Sequence, residues 1–372
     1  MWTHDSPGST LKLQKTFFGA LSDGAKVDKY TLANSRGLEL TILTYGGIIQ
    51  SILLPDKNGR LADIALGFDN LEDYVNRNPY FGAIIGRYGN RVANGRFTLG
   101  DAQYQIPVND GPHALHGGPG GFDKKLWDAK PVEGPTGIGV ELEYLSPDGE
   151  MGFPGNLAVT VRYTLNDENE LRLDYSAVTD KQTVVNLTNH AYFNLAGAGT
   201  GTVLDSVAFI DADRYTPVDQ TLIPTGELLT VKGTPFDFTI PTPIGANLRL
   251  DHEQLKRAEA RHGGYDLNWV LNHPGDLNAL AARVTDPKSG RTVEMCTTEP
   301  AVQFYSGNFL DGTLTGKGGL TYPHWGAFTL EAQHYPDSVN QRHFPTTVLA
   351  PAERYVQTTV YKFLAVDLKA SV

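Results

Sequence analysis

A histidine stands in a polar and aromatic stretch near the middle of the chain, "NLTNHAYFNL" over residues 186–195. Asparagines, a threonine and two aromatic rings surround His190, and the stretch holds no cysteine and no acidic residue. A lone histidine on a strand is more often a hydrogen-bonded core residue than a catalyst, so this stretch alone does not decide its role. The other polar clusters of the chain must be weighed with it.

A pair of histidines lies in the glycine-flanked segment "GPHALHGG". Glycine gives a loop conformational freedom and allows close approach to a ligand. The His-x-x-His spacing is also compatible with a metal site, but no third ligand of matching type lies nearby in the sequence. We expect His113 to be a solvated loop residue and His116, next to Gly117 and Gly118, to face a ligand.

Arginines and asparagines alternate in "GRYGNRVANGRF". Arg91 beside Asn90 offers several hydrogen-bond donors in a planar fork, which suits the vicinal hydroxyls of a sugar as well as a carboxylate. Arg87 and Arg96 are equally compatible with solvated surface charges.

Two acids and an amide follow in strand-like segments. Asp266 in "YDLNWVL" is a structural strand-end acid or a ligand-binding residue, because a carboxylate in a half-apolar strand must be hydrogen-bonded. Glu331 directly follows the apolar "HWGAFTL", which would carry it inwards. Gln303 stands beside Phe304 and Tyr305 in "EPAVQFYSGNFL".

These clusters together favour a sugar as the ligand. Aromatic faces can stack on the C–H faces of a polyhydroxylated ring, and its hydroxyls need both donors and acceptors. A phosphorylated ligand is disfavoured because no Gly-rich loop ending in Lys-Ser/Thr is present. A net charge of -11, a pI near 5.4 and the lack of a Lys/Arg cluster argue against a nucleic-acid partner. The single cysteine, Cys296, excludes an internal disulfide and a thiolate zinc site.

The elements that must position these residues are strands. In "LAVTVRYTLNDENELRLDYSAV", large apolar residues alternate with smaller or polar ones on both sides of the turn-rich "NDEN", which predicts an antiparallel hairpin. "VELEYL" just upstream predicts a third neighbouring strand. Short helices are predicted for "NLEDYVNRN", where Asn70 and Asp73 have capping-box spacing, and for "LDHEQLKRAEA".

Nothing in the composition forces a division of the chain, so we expect one domain over residues 1–372, with residues 1 to about 14 as an N-terminal extension. No run approaches the roughly 20 apolar residues that span a bilayer, and the N-terminus is too polar for a signal peptide. We therefore expect a cytoplasmic protein without a membrane partner, periplasmic if a leader peptide has been removed, that is a monomer or a weak homodimer.

Six segments together resemble the ordered signature segments of the aldose 1-epimerase family, also called galactose mutarotases: "NRVANGRF", "LHGG", "NLTNHAYFNL", "YTPVDQTLIPTGE", "QFYSGNFL" and "LEAQHYPDSVNQ". The resemblance runs from about residue 15 to the C-terminus in the order and spacing of the family. It implies an all-β, mainly antiparallel fold, a large β-sandwich with a few short helices whose concave face holds the sugar.

The resemblance also implies an activity, the interconversion of the α and β anomers of free aldoses such as galactose and glucose without a metal or an organic cofactor. It implies that His190 is the general acid, that Glu331 is the general base and that His116 lies at the reacting end of the sugar. Its implied hydroxyl-binding residues are Asn90, Arg91, Asp266 and Gln303. The family pattern has a histidine after the aspartate where this chain has Leu267, which makes the match at Asp266 loose.

The reference pKa values of about 4.3 for Glu and about 6.5 for His allow an ionised base and a protonated acid near neutrality, most readily if the site raises the pKa of the histidine. The rate should then fall on the acid side as Glu331 protonates and on the alkaline side as His190 loses its proton. Two alternatives stay open: glycoside hydrolysis by the carboxylates Asp266 and Glu331, and a non-catalytic carbohydrate-binding module on the same sandwich.

Overall fold

Antiparallel sheets make up most of the computed structural model, which describes residues 2–4, 11–257 and 263–366. The largest is a nine-stranded sheet, in the spatial order β12 (Asp128–Gly134), β13 (Gly137–Ser146), β14 (Leu157–Leu165), β15 (Glu170–Thr179), β29 (Tyr355–Ala365), β25 (Arg291–Thr297), β24 (Ala282–Thr285), β19 (Val207–Ile210) and β22 (Thr242–Pro243). An N-terminal sheet contains β1 (Trp2–His4), β2 (Lys12–Ala20), β3 (Lys26–Ala33), β4 (Glu39–Leu43), β5 (Ile49–Pro55) and β6 (Leu61–Asp63).

A third sheet, called the central sheet below, has the order β18 (Tyr192–Phe193), β27 (Phe328–Gln333), β26 (Ala301–Tyr305), β23 (Asp266–Val270), β20 (Arg214–Thr216) and β21 (Leu229–Thr230). Short two-stranded ladders pair β7 (Ile84–Ile85) with β17 (Thr188–Asn189), β8 (Arg91–Val92) with β11 (Ala114–Leu115), β9 (Arg96–Leu99) with β10 (Ala102–Gln105), and β16 (Thr183–Val184) with β28 (Val348–Leu349). The pairings between these strands are antiparallel, which confirms the predicted fold class.

The predicted local elements are present. Strands β14 and β15 form the hairpin, and β13 contains the "VELEYL" segment and pairs with β14. Helix α1 (Leu71–Arg77) is capped as expected, because Asn70 Oδ1 accepts the Asp73 N–H at 2.9 Å. Helix α2 (Glu253–Arg257) covers the start of the second predicted helix, whose end falls within residues 258–262, outside the described residues.

Helices are short throughout the described ranges. Besides α1 and α2 there are single 3₁₀ turns at Ala93–Gly95, Phe122–Lys124, Glu150–Gly152, Ile244–Ala246, Lys317–Gly319 and Ser338–Asn340. None of the helices in these ranges is long and apolar enough to cross a membrane.

The main hydrophobic core contains residues of the nine-stranded sheet, the central sheet and the N-terminal sheet. Alternate residues of the central strands are buried in it, among them Trp269 of β23, Phe304 of β26 and Leu330 of β27. Tyr361 of β29 joins the two sheets, since its hydroxyl donates a hydrogen bond to the Leu330 carbonyl at 2.7 Å and its ring lies 5.7 Å from that of Phe193. One face of the central strands is therefore held by the core.

The other face of the same strands is polar. Because side chains alternate along a strand, Asp266, Asn268, Gln303, Glu331 and Gln333 all point away from the core, yet all are buried. The strand register places Asn268 opposite Gln303, and Gln303 opposite Glu331. A slip of one residue would exchange these polar groups with core residues, so the core packing also fixes the polar face.

Candidate active site

A cavity of about 250 Å³ opens over the polar face of the central sheet. It is lined by all seven predicted site residues, namely Asn90, Arg91, His116, His190, Asp266, Gln303 and Glu331. They come from segments spread over most of the chain, and the fold brings them to one place. Their individual roles stay predictions.

His190 lies between β17 and β18 and is held by its backbone and by two rings. Its N–H donates to the Ala83 carbonyl at 2.9 Å, and its carbonyl accepts the Gly82 N–H at 3.0 Å. Its imidazole is stacked against Tyr80, with ring centroids 5.8 Å apart, and against Tyr192, at 5.0 Å. This burial lowers the pKa of His190 to about 3, because a desolvated ring resists protonation.

Glu331 projects from β27 towards the same imidazole. Its Oε1 lies 3.5 Å from His190 Nε2, and the two side chains are only 2% and 6% exposed. Thr329 Oγ1 donates a hydrogen bond to the same Oε1 at 2.8 Å, whereas Oε2 has no partner among the described residues. Burial raises the pKa of Glu331 to about 8, with a smaller contribution from the charge of Asp266.

The two pKa shifts change the expected protonation of the pair. The sequence suggested a protonated His190 and an ionised Glu331 near neutrality, whereas burial lowers one pKa and raises the other. At neutral pH these shifts favour a neutral imidazole and a protonated carboxyl group. A raised pKa of His190 was the condition that would most readily give a protonated acid, and the site lowers this pKa instead. The cause is burial, which excludes the water that would stabilise the charged ring.

His116 is held as a neutral hydrogen-bond donor. Its ring Nδ1 accepts a hydrogen bond from the backbone N–H of Asn90 at 3.1 Å. The backbone N–H of His116 donates to the Asn90 carbonyl at 3.0 Å. Because Nδ1 is an acceptor, the ring proton of the neutral imidazole is on Nε2. Burial and the neighbouring His190, whose ring centroid is 5.0 Å away, lower the pKa of His116 well below its usual value.

Three side chains of the cavity lie close enough together to be considered as metal ligands. One ligand atom each of His116, His190 and Glu331 could lie within 4.8 Å of the others, which is compatible with a metal-binding group of three. However, the Nδ1 lone pair of His116 is occupied by the Asn90 N–H, and Nε2 then carries the ring proton. Two ligands remain, fewer than the three or four of a typical zinc site, so these residues do not fit a resident metal ion.

Arg91 connects the glycine-flanked loop to the central sheet. Its Nε donates to Asp110 Oδ2 at 2.7 Å, and its Nη1 lies 3.8 Å from Asp266 Oδ2. Gln303 Nε2 donates to the other oxygen of Asp266 at 2.7 Å. The buried Asp266 is therefore hydrogen-bonded, as the sequence required, although desolvation still raises its pKa.

Three other residues considered from the sequence lie outside the cavity. His113 was expected to be solvated but is buried, and its Nδ1 accepts the Asn94 N–H at 3.0 Å. Arg87, also compatible with a solvated charge, is buried and donates to Ser146 and to backbone carbonyls. Arg96 is exposed, as a surface charge should be.

Sequence reasoning assigned no role to several residues that form the cavity wall, namely Pro79, Tyr80, Asp110, Leu115, Tyr192, Tyr305 and Phe309. Tyr192 and Tyr305 lie inside the quoted motifs, so their aromatic character was a usable signal. Asp110 directly precedes the "GPHALHGG" segment. Tyr80 gave no signal, because it stands in an irregular loop with a left-handed backbone (φ 69°).

Known proteins resemble this chain over most of its length. A family profile described as aldose 1-epimerase matches residues 28–362. The chain belongs to the aldose 1-epimerase family. A bovine relative named galactose mutarotase is 45% identical over 354 residues, covering 95% of this chain and 99% of the relative. An Escherichia coli K12 relative of the same family, named aldose 1-epimerase, is 38% identical over 345 residues, covering 92% and 97%.

Solved structures of the family have the same fold. The galactose 1-epimerase of Lactobacillus acidophilus matches with a TM-score of 0.82 at 31% identity, over 95% of this chain and 99% of that one. A Caenorhabditis elegans homologue also has a TM-score of 0.82 at 31% identity, over 95% and 100%. The resemblance stated from the six sequence segments, and the galactose mutarotase type of sandwich that it implied, are both confirmed.

Proposed function

We propose that this chain is an isomerase that interconverts the α and β anomers of free aldoses such as galactose and glucose. The observation that carries the proposal is the buried pair of His190 and Glu331, 3.5 Å apart in a cavity lined with hydrogen-bonding side chains. The names of the bovine and bacterial relatives support the same reaction. Glu331 acts as the general base and His190 as the general acid.

Ring opening needs one proton to leave the sugar and another to arrive. Glu331 takes the proton of the C1 hydroxyl while protonated His190 gives a proton to the ring oxygen, so the bond between C1 and that oxygen breaks and C1 becomes an aldehyde. Rotation about the C1–C2 bond then presents the other face of the carbonyl. The two transfers run in reverse, the ring closes as the other anomer, and the pair regains its starting protonation.

The burial of the pair favours the open-chain stage. After ring opening, Glu331 is protonated and His190 is neutral, which is the state that the pKa shifts favour. The cyclic sugar instead needs an ion pair, and sugar hydroxyls that donate to the unpartnered Oε2 of Glu331 would stabilise its carboxylate form. The pair thus shares a single proton, and desolvation favours the arrangement that accompanies the aldehyde.

The remaining predicted residues hold the sugar. His116 presents its Nε2–H as a fixed neutral donor beside His190, so it orients an oxygen at the reacting end. Arg91 supplies donors, while Asp266 and Gln303 supply acceptors, including Oε1 of Gln303, which has no hydrogen-bond partner among the described residues. Asn90 also lines the cavity and binds a hydroxyl of the sugar.

Polarimetry on a freshly dissolved single anomer of galactose tests the proposal. An epimerase speeds the approach to the equilibrium rotation and leaves the final rotation unchanged. A glycoside hydrolase changes the optical rotation only of a glycoside. A carbohydrate-binding module speeds the change of rotation of neither the free sugar nor the glycoside. No acceleration with galactose or glucose above the buffer rate would refute the proposed function.

The pH dependence follows from the count of protons on the pair. The pair holds one proton between the lowered pKa of about 3 and the raised pKa of about 8, and only this state is active. We therefore expect kcat/KM to stay flat from about pH 4.5 to about pH 7 and to fall tenfold per pH unit well above pH 8. Polarimetry with the buffer rate subtracted measures it. An acid-side loss near pH 4.5 would indicate a solvated Glu331 instead.

Removal of metal ions should not affect activity. Only protons move in the proposed reaction, and the candidate ligand group lacks a free lone pair on His116. Incubation with EDTA followed by desalting should leave kcat unchanged within error. A loss of rate that added Zn²⁺ or Mn²⁺ restores would contradict this expectation.

Replacement of Arg91 should weaken sugar binding. Lysine in Arg91→Lys keeps the charge but cannot reach Asp110 and the sugar with a planar fork, so we expect a loss of about 1 to 3 kcal/mol in galactose affinity. Titration calorimetry and KM measure it, and Arg96→Lys on the exposed surface is the matched control. Unchanged KM and kcat would make Arg91 a structural residue.

Two expectations from the sequence stay predictions: a monomer or weak homodimer, and a cytoplasmic location. Light scattering over a range of protein concentrations and cell fractionation would test them. A single domain over the whole chain also stays a prediction, which one cooperative unfolding transition would support.

A further inference from the structure

The acidic and basic side chains of the cavity are unequal in number. Among the described residues that line it, Asp110, Asp266 and Glu331 carry carboxyl groups, and Arg91 is the one with a permanent positive charge. The two lining histidines have lowered pKa values and are neutral at physiological pH. Among the described lining residues, a negative group on a ligand would find one permanent cation, the guanidinium of Arg91.

That guanidinium is already engaged by the protein. Arg91 Nε donates to Asp110 at 2.7 Å, and Nη1 lies 3.8 Å from Asp266. The side chain of Arg91 is only 6% exposed, whereas that of Asp110 is 36% exposed. A ligand therefore meets a neutralised arginine with a carboxylate at its more accessible side.

A tight turn places Asp110 in this position. The N–H of Asp110 donates to the His113 carbonyl at 3.1 Å, and the N–H of His113 donates back to the Asp110 carbonyl at 3.0 Å. Gly111 inside the turn has φ of 56°, a left-handed conformation that glycine adopts without strain. His113 is buried and its Nδ1 accepts the Asn94 N–H, which holds the turn on the side away from the cavity. The backbone of this turn therefore fixes the carboxylate of Asp110 at the cavity.

We propose that Asp110 is a specificity-determining residue that restricts the cavity to uncharged aldoses and excludes those that carry a carboxylate or a phosphate. The proposal rests on the proposed function, since it concerns which sugars reach the acid–base pair. An anionic sugar would bring a negative charge close to Asp110 and would lack a free cation to pair with, so it would be desolvated without compensation. Rejection by an unfavourable contact is a common source of specificity.

The experiment compares two sugars that differ only at C6, D-galactose and D-galacturonate. Anomer exchange is measured for each, by polarimetry or NMR, and the ratio of their kcat/KM values is the readout. We expect the wild type to favour galactose by on the order of 100-fold. Asp110→Asn should reduce this ratio by about tenfold or more, because it removes one negative charge and releases Arg91 Nε for the ligand.

Two variants serve as controls. Asp110→Glu keeps the carboxylate and should keep the ratio within about threefold of the wild type. Asp101→Asn makes the same change in net charge at an exposed turn outside the cavity lining and should also leave the ratio unchanged. The preference of the wild type should weaken between about 20 mM and about 500 mM salt, and that of Asp110→Asn should depend less on salt.

The outcomes are separable. An unchanged ratio in Asp110→Asn, or an equal loss of activity on both sugars, would overturn the proposal, since Asp110 would then merely support Arg91. A ratio relaxed as strongly in Asp110→Glu would also overturn it, because shape and not charge would decide. If the wild type accelerates anomer exchange of neither sugar, the proposed function itself is refuted. This result is independent of the Asp110 variants.

Discussion

The variant Glu331→Gln is expected to lower kcat for galactose anomerisation by about 100-fold or more, with a change in galactose affinity of less than about threefold. Glutamine keeps the size of the side chain and can still accept the hydrogen bond from Thr329 Oγ1. It cannot take the proton of the C1 hydroxyl. Polarimetry gives kcat, and titration calorimetry gives the affinity.

The same variant has a signature in stability that excludes simple misfolding. Burial raises the pKa of Glu331 from 4.5 to about 8, so its contribution to stability is fully present below about pH 4.5 and is lost as pH rises through about 8. Glutamine has no such dependence. The stability of Glu331→Gln relative to the wild type should therefore rise between pH 5 and pH 8 by about 1.4 kcal/mol per pH unit at most.

Glu168→Gln is the matched control for both measurements. Glu168 is 61% exposed and pairs with Arg36 at the surface, where an ion pair contributes little to stability. This variant should keep wild-type kcat and a wild-type pH dependence of unfolding. Near-wild-type turnover in Glu331→Gln would remove Glu331 as the base, and loss of galactose binding would make it a binding residue.

Strands could be predicted from the sequence where one face of the strand is buried in the core and the other is exposed to solvent. The hairpin of β14 and β15 has the apolar alternation of a sheet with one buried face, and its sequence shows it. The central strands are harder, because both faces are buried: "DLNWV" and "AVQFY" alternate between core residues and site residues. In these strands apolar core residues alternate with polar residues that are also buried. The sequence pattern can be interpreted only when the polar residues are recognised as members of a site.

The composition of the site could be predicted, but its electrostatics could not. The seven residues were found from side-chain chemistry and from the family resemblance, neither of which depends on distance. Burial lowers the pKa of His190, and one of the rings that bury it is Tyr80, from a loop more than 100 positions away in the sequence. The tautomer of His116 depends on one backbone N–H, that of Asn90. Such contacts arise only from the folded chain.

The variant His190→Asn should also lower kcat by about 100-fold or more, because asparagine can donate a hydrogen bond to the ring oxygen but cannot transfer a proton to it. His113→Asn is the matched control, since His113 is a buried histidine outside the cavity and the Oδ1 of asparagine can accept the Asn94 N–H in place of Nδ1. It should retain kcat within about threefold.

The double variant distinguishes a shared proton from two independent contributions. If His190 and Glu331 act in one ring-opening step, the loss of either abolishes the whole transfer, and the double variant should be little worse than the poorer single variant. Losses that multiply to about 10,000-fold would instead show that each residue contributes separately. His190 Nε2 and Glu331 Oε1 lie 3.5 Å apart, and the two pKa values leave one proton on the pair over the physiological pH range. These observations favour a shared proton and therefore a double variant that is little worse than the poorer single variant.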